Sequence, residues 1–228
     1  MNWKIYMKKL THIGIILDGN RRWAAKRGLP SFEGHLEGLN NLKKIIAYAQ
    51  KRGLKILSVF VFSTENWNRS KDEVNYLMSL IESFFREEYE KKELFRKIKV
   101  RVVGERDRLS QRIKDIIDKI EEETKDHKEM VLNIAFNYGG KKEILGTIKK
   151  MISQGVPLTE ENISRNLFVP DIDLVIRTGF EKRLSNFFIW QTAYSELYFP
   201  EKYWPDFSER DLDIAIEDYN SRQRRFGK

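Results

Sequence analysis

The sequence has no cysteine, so disulfides and thiolate metal sites are excluded, which fits a reducing compartment. Only 5 prolines and 3 histidines occur among 228 residues, leaving few breaks in helices and few ligands for a histidine metal centre. No apolar run approaches the roughly 20 residues that cross a bilayer, and no secretory leader pattern is visible. Walker loops and Gly-x-Gly-x-x-Gly fingerprints are missing; Gly139-Gly140 is too short to serve as one. These absences support a cytoplasmic location as the expectation. What is present, 41% hydrophobic and 33% charged residues, is globular in composition and long enough for one domain, residues 1–228, with a sizeable core. The formal net charge of +8 implies anionic partners, among which nucleic acid, lipid headgroups and diphosphates all qualify.

One stretch organises the rest. His12-Ile-Gly-Ile-Ile-Leu-Asp18-Gly19-Asn20-Arg21-Arg22-Trp23 is an apolar run of strand length that stops at an acid, a glycine, an amide and two arginines. It predicts a buried strand delivering a polar cluster to its carboxyl end, where ligands bind in open parallel sheets. Glycine lets the backbone approach a ligand, and free N–H groups at a helix start favour an anion. Guanidiniums suit phosphate, and Asp18 beside an anion makes sense if it holds a divalent cation bridging the two. The alternative is a plain strand-to-helix turn in which Asp18 caps the helix.

Residues 1–11 place Trp3, Tyr6, Met7 and Leu10 at helical spacing among lysines, a short amphipathic segment that docks on the domain or also rests on a membrane surface. A helix is expected over about 34–52, then a strand over 56–62 ending in the polar run Ser63-Thr-Glu-Asn-Trp-Asn-Arg-Ser70. The next helix repeats apolar residues from Val74 to Phe85, and its charged end, 86–92, is expected to project. Further strands are expected at 100–104, 131–136, 173–176 and 195–199, with helices at 108–125, 140–153, 159–168, 186–192 and 208–219 before a basic tail at 221–228. Alternating strands and helices predict an α/β fold, a central and mostly parallel six-stranded sheet flanked by helices. Four strands then end on one rim and bring Asp18, Asn20, Arg22, Asn66, Arg69 and Arg177 together.

That rim offers five arginines, counting Arg21 and Arg183, but few nucleophiles: Ser63, Ser70 and Ser185 have no histidine in triad order. His35 is the one histidine near the first cluster, and its spacing favours a helix-start role over a catalytic one. Many arginines, one acid and no nucleophile suit binding and ionising a diphosphate, with charge stabilisation as the main catalytic contribution. Leu39, Leu42 and Ile46 on one helix and Leu77, Met78, Ile81 and Phe85 on the next line a hydrophobic tunnel between sheet and helix pair, or fill the core. Periodicity leaves both open.

Six segments, 12–23, 34–35, 62–69, 133–140, 173–179 and 183–196, run in order over nearly the whole chain. In them it resembles the cis-prenyltransferases, the group of undecaprenyl and dehydrodolichyl diphosphate synthases. The resemblance implies Mg²⁺-dependent, sequential condensation of isopentenyl diphosphate onto an allylic diphosphate, farnesyl or geranylgeranyl. The product would be a long-chain Z-polyprenyl diphosphate, precursor of a dolichol- or undecaprenol-type glycosyl carrier. By the same resemblance Asp18 binds the metal, with Glu196 as a further contributor, and His35 and Asn66 assist near the reacting centre. Gly19, Asn20, Arg21 and Arg22 cradle the allylic diphosphate, and Trp23, Ser63 and Glu65 fall in the same substrate-binding segments. Trp67 and Arg69 belong to a loop that closes over substrate, while Arg177, Arg183 and Ser185 hold isopentenyl diphosphate. Arg225 and Gly227, in the ending Arg224-Arg225-Phe226-Gly227, resemble a C-terminal motif that reaches across a homodimer.

Some positions depart from the family pattern. Arg21 stands where bacterial members have glycine and Ser31 where they have arginine, so Arg21 is expected to replace a lost diphosphate contact; Phe180 stands where a small residue is usual. These point to an archaeal or eukaryote-like branch. A non-catalytic partner subunit of the family would have lost Asp18 or the 66–69 loop, and both are kept. A nucleic-acid-binding domain would cluster its basic residues, whereas here acids are interspersed, so no nucleic acid is expected. A trans-type prenyltransferase needs Asp-Asp-x-x-Asp, which is absent.

Overall fold

In a computed structural model, which describes residues 10–222, β1 (His12–Ile16) is buried along its whole length. A strand buried on both faces needs cover on each and a neighbour on each side. It has both: β2 (Ile56–Ser63) pairs with it on one side and β5 (Leu174–Arg177) on the other, each parallel. Adding β3 (Ile98–Val103), β4 (Met130–Tyr138) and β6 (Glu196–Tyr198) gives the order β3-β4-β2-β1-β5-β6, every pairing parallel.

Parallel neighbours need crossovers, and helices supply most of them. Among the described residues these are α1 (Asn20–Lys26), α2 (Ser31–Lys51), α3 (Lys71–Lys91), α4 (Gln111–Thr124), α5 (Gly140–Ser153), α6 (Glu160–Asn166) and α7 (Glu209–Ser221). Alternation along the strands separates two apolar layers. Ile13, Ile15, Leu57, Val59, Leu132 and Ile134 pack with α2, α3, α4 and α7, whereas Ile16, Phe60, Ala135 and Val175 pack with Val169, Ile172, Phe187 and Phe188. The α/β sheet flanked by helices is therefore as expected. No described helix is long and apolar enough to cross a membrane.

Three expectations need correction. The helix predicted at 186–192 is a run of turns, because Ser185, Asn186 and Phe188 have φ of 48°, 67° and 39°, outside the right-handed helical region. Its adjacent Phe187 and Phe188 are both fully buried in the second apolar layer. The charged end of α3 does not simply project: Glu88 is buried and pairs with Lys43 at 2.9 Å. Finally, α2 starts three residues early, directly after Pro30. The helical spacing read in 1–9 and the roles of Arg225 and Gly227 lie outside the described residues.

Candidate active site

Strand direction is common to the whole sheet, so the carboxyl ends of β1, β2, β4 and β5 share a rim, and the chain crosses from one side of β1 to the other there. A cleft of about 680 Å³ opens at this point. Its polar wall carries Asp18, Asn20, His35, Ser63, Glu65, Asn66, Arg69, Arg177, Arg183 and Ser185; Ile16, Leu17, Phe60, Val61, Leu77 and Ile189 supply apolar surface.

Asp18 is the centre of an alternating chain of charges. Its Oδ1 accepts from Arg22 Nη2 at 3.0 Å and its Oδ2 from Arg177 Nη2 at 2.9 Å. Arg22 continues to Glu181 Oε1 at 3.1 Å, and Glu181 Oε2 takes Arg183 Nη1 at 2.6 Å. Three guanidiniums are thus matched by two carboxylates, and Arg177, only 5% exposed, still has a buried Nε without a partner. Arg177 also donates to Ser185 Oγ at 2.7 Å and to the carbonyl of Arg183. Thr178 fixes the height of Asp18, accepting from its backbone N–H and donating to its carbonyl. Gly19 then turns the chain into α1 at φ 107°, and a Cβ there would lie 2.6 Å from the Tyr203 ring. Only glycine meets both demands.

A second hub forms beside the first. Glu73 on α3 receives Arg69 at 2.9 Å, faces Arg21 at 3.5 Å and lies 3.4 Å from His35 Nε2 without accepting a hydrogen bond from it. Burial, and then the Arg69 charge, push the His35 imidazole below its ordinary 6.5 against the pull of Glu73, so the ring is neutral at pH 7. Arg21 and Ser31 line one further cleft of about 480 Å³. Asn66 Oδ1 accepts from the Ser63 N–H at 2.9 Å and so shapes the β2 exit. Burial pushes the Glu65 carboxyl up, but hydrogen bonds led by that from Asn186 outweigh it and hold the group below its usual range.

Other predicted residues fall elsewhere. Trp67 turns inward, donating to Asn137 Oδ1 at 2.7 Å, with Arg108 stacked 4.1 Å above its ring. Trp23 is held by Asp206 at 2.8 Å and lies under Arg27. Phe180 packs on Tyr203, ring centres 5.0 Å apart. Glu196 is not brought to Asp18: it pairs with Leu174, which is level with Ile13 at the amino end of the sheet, and it binds Arg222 at 2.8 Å. Of the seven expected tunnel residues, the 680 Å³ cleft touches Leu77; Leu42, Ile46, Ile81 and Phe85 pack as core.

Sequence reasoning missed Glu73, Glu181, Thr178 and Asn186. For Glu73 a signal existed: it stands four residues after Arg69 and three after the α3 cap Ser70. As for a metal, no described group of three or more His, Asp or Glu forms a cage. Mg²⁺ does not need one, since it is commonly held by one or two carboxylates with phosphate and water completing its shell. Asp18, a hard carboxylate amid guanidiniums whose chemistry suits phosphate, fits such an ion.

Comparison with known proteins agrees with this geometry. Residues 16–227 match the prenyltransferase family described as "Putative undecaprenyl diphosphate synthase". The isoprenyl transferase of Fusobacterium nucleatum is 48% identical, with 95% of each chain covered, and that of Thermotoga maritima is 46% identical, covering 95% of this chain and 96% of the relative. The crystal structure of lavandulyl diphosphate synthase from Lavandula x intermedia, in complex with dimethylallyl diphosphate, superposes with a TM-score of 0.90 at 37% identity, covering 96% of this chain and 98% of that one. Similarity to these bacterial isoprenyl transferases runs against the archaeal or eukaryote-like branch that Arg21 and Ser31 suggested. With its motifs, its sheet and its relatives in agreement, the chain belongs to the cis-prenyltransferase family.

Proposed function

We propose that the chain condenses isopentenyl diphosphate units, one after another, onto an allylic diphosphate, farnesyl or geranylgeranyl, with Mg²⁺, and releases a long Z-polyprenyl diphosphate. The observation that carries this reading is Asp18 shared between Arg22 and Arg177 at the mouth of a cleft with substantial apolar surface. Arg22, Arg177 and Arg183 are matched by Asp18 and Glu181, and a diphosphate would bring oxygens to take over those guanidiniums. Asp18, released by that exchange, would hold the cation. Mg²⁺ bound there would neutralise charge developing on the leaving diphosphate.

The arginine sets would hold C1 of the allylic chain near C4 of isopentenyl diphosphate, which is the chief gain from orientation. The C1–O bond breaks, the C4–C1 bond forms and C2 loses a proton. Asn66 and the neutral His35 line the cleft, and we assign them to this reacting centre. The hydrocarbon tail would run over Val61 and Leu77 and part the layer between the sheet and α2–α3 into a tunnel as it grows. The active unit on this reading is a homodimer completed by Arg225 and Gly227.

The test is incubation of the purified chain with farnesyl or geranylgeranyl diphosphate and labelled isopentenyl diphosphate, with and without Mg²⁺, beside Asp18→Ala. Metal-dependent Z-polyprenyl products, reduced about 100-fold or more in the variant, are expected. Absence of product with every primer would refute the proposal.

A further inference from the structure

Gly139-Gly140 is too short to cradle a phosphate, and the proposed reaction assigns it nothing. Its place explains it. Gly139 is the residue before α5 and caps the helix with no side chain of its own. The missing cap comes from a residue far along the chain: the Asn186 carbonyl accepts from Gly140 N–H at 2.8 Å, and Asn186 Oδ1 accepts from Lys141 N–H at 2.9 Å. The same amide donates through Nδ2 to Glu65 Oε1 at 2.9 Å. One side chain therefore joins the exits of β2 and β4 to the loop after β5. The two glycines give it room, since a Cβ at Gly139 would lie 2.7 Å from Thr64 Oγ1 and 2.9 Å from Asn186 Nδ2, and one at Gly140 would lie 3.0 Å from the Asn186 carbonyl.

Asn186 is held at φ 67° and directly follows Ser185, at φ 48°, whose hydroxyl meets Arg177. Such backbone persists only where its surroundings over-determine it. We propose that Asn186 is a positioning residue for isopentenyl diphosphate: it fastens the loop of Arg183 and Ser185 to the other two exits and so sets where that diphosphate binds. This rests on the assignment of Arg177, Arg183 and Ser185 to isopentenyl diphosphate made above.

Steady-state kinetics with both substrates in turn, on wild type, Asn186→Ala and Gly139→Ala, test it. Gly139 has extended φ, −156°, so alanine there strains no backbone and wedges the same junction from its other side. Both variants are expected to raise KM for isopentenyl diphosphate about 10-fold with KM for the allylic substrate nearly unchanged, while Asn186→Ala also lowers Tm through its lost hydrogen bonds and an alanine at φ 67°. A reversed pair, Glu65→Gln with Asn186→Asp, is expected to lower that KM relative to Glu65→Gln with Asn186→Ala, because the glutamine then donates to the aspartate. If both KM values rise together, or only Tm falls, Asn186 is a helix cap and the proposal is overturned. A wild type inactive with these substrates overturns the functional assignment instead.

Discussion

Gly34→Ala offers the sharpest test of how the active-site turn is held. Helix α1 lies so close on α2 that a Cβ at Gly34 would stand 2.1 Å from the Asn20 carbonyl oxygen and 2.8 Å from its carbon. Both are backbone atoms in the segment that carries Asp18 and Arg22, so neither can rotate away. Alanine gains about 1 kcal/mol in helix propensity. Overpacking costs typically 1–3 kcal/mol, and a contact more than an ångström too short falls at or above the top of that range. The expected net loss is about 2 kcal/mol, or about 4–8 °C in Tm for a domain of this size. Two neighbouring glycines grade the argument. Gly38→Ala meets the Asn20 side-chain amide at 2.5 Å, which can turn aside, so its loss should be smaller. Gly146→Ala meets nothing within 4 Å and should gain up to about 1 kcal/mol. Urea denaturation of the three variants, with KM for the allylic substrate measured beside it, checks the order. A Gly34→Ala protein as stable as wild type, with unchanged KM, would refute the claim that backbone contact between α1 and α2 sets the turn.

Lowered protonation of His35 makes stability depend on pH. Below 6.5 the unfolded chain takes up a proton that the folded chain refuses, so stability is full above 6.5 and is lost as pH falls towards the lower folded value; His35→Gln should flatten that limb in denaturation curves between pH 5 and 8. Ser58→Ala breaks a buried relay in which Asn133 donates to Ser58 at 3.0 Å and Ser58 Oγ shares a hydrogen bond with His12 Nε2 at 2.7 Å; a loss of about 2 kcal/mol with unchanged kinetics is expected. The proposed homodimer is tested by Ile152→Glu, since Leu145 and Ile152 stand two turns apart on α5 and are 54% and 63% exposed. Sedimentation should find a monomer, and a variant that stays dimeric excludes this face. Deleting residues 225–228 should lower turnover and substrate affinity, and an unaffected enzyme would exclude completion of the site in trans.

Periodicity and strand endings carried much of the fold into view. Ile13, Ile15 and Leu57 are apolar because they are buried, and the parallel pairing they require puts Asp18 and Arg177 on one rim whatever the loops do. What local pattern does not encode is the pairing of loops with one another. Asn186 reads as the start of a helix, because its meaning lies in Glu65 and Gly140, 121 and 46 positions away in the chain, and in a φ that no neighbouring residue announces. Glu73 reads as the third residue of a capped helix, and only the approach of α2 to α3 brings His35 to it. Glu196 makes the same point in reverse. It lies in a segment that matches the family, but motif membership does not say which end of a strand a side chain reaches. Its parallel pairing with Leu174 does, and within one chain it puts Glu196 level with Ile13, five residues of strand and turn short of Asp18.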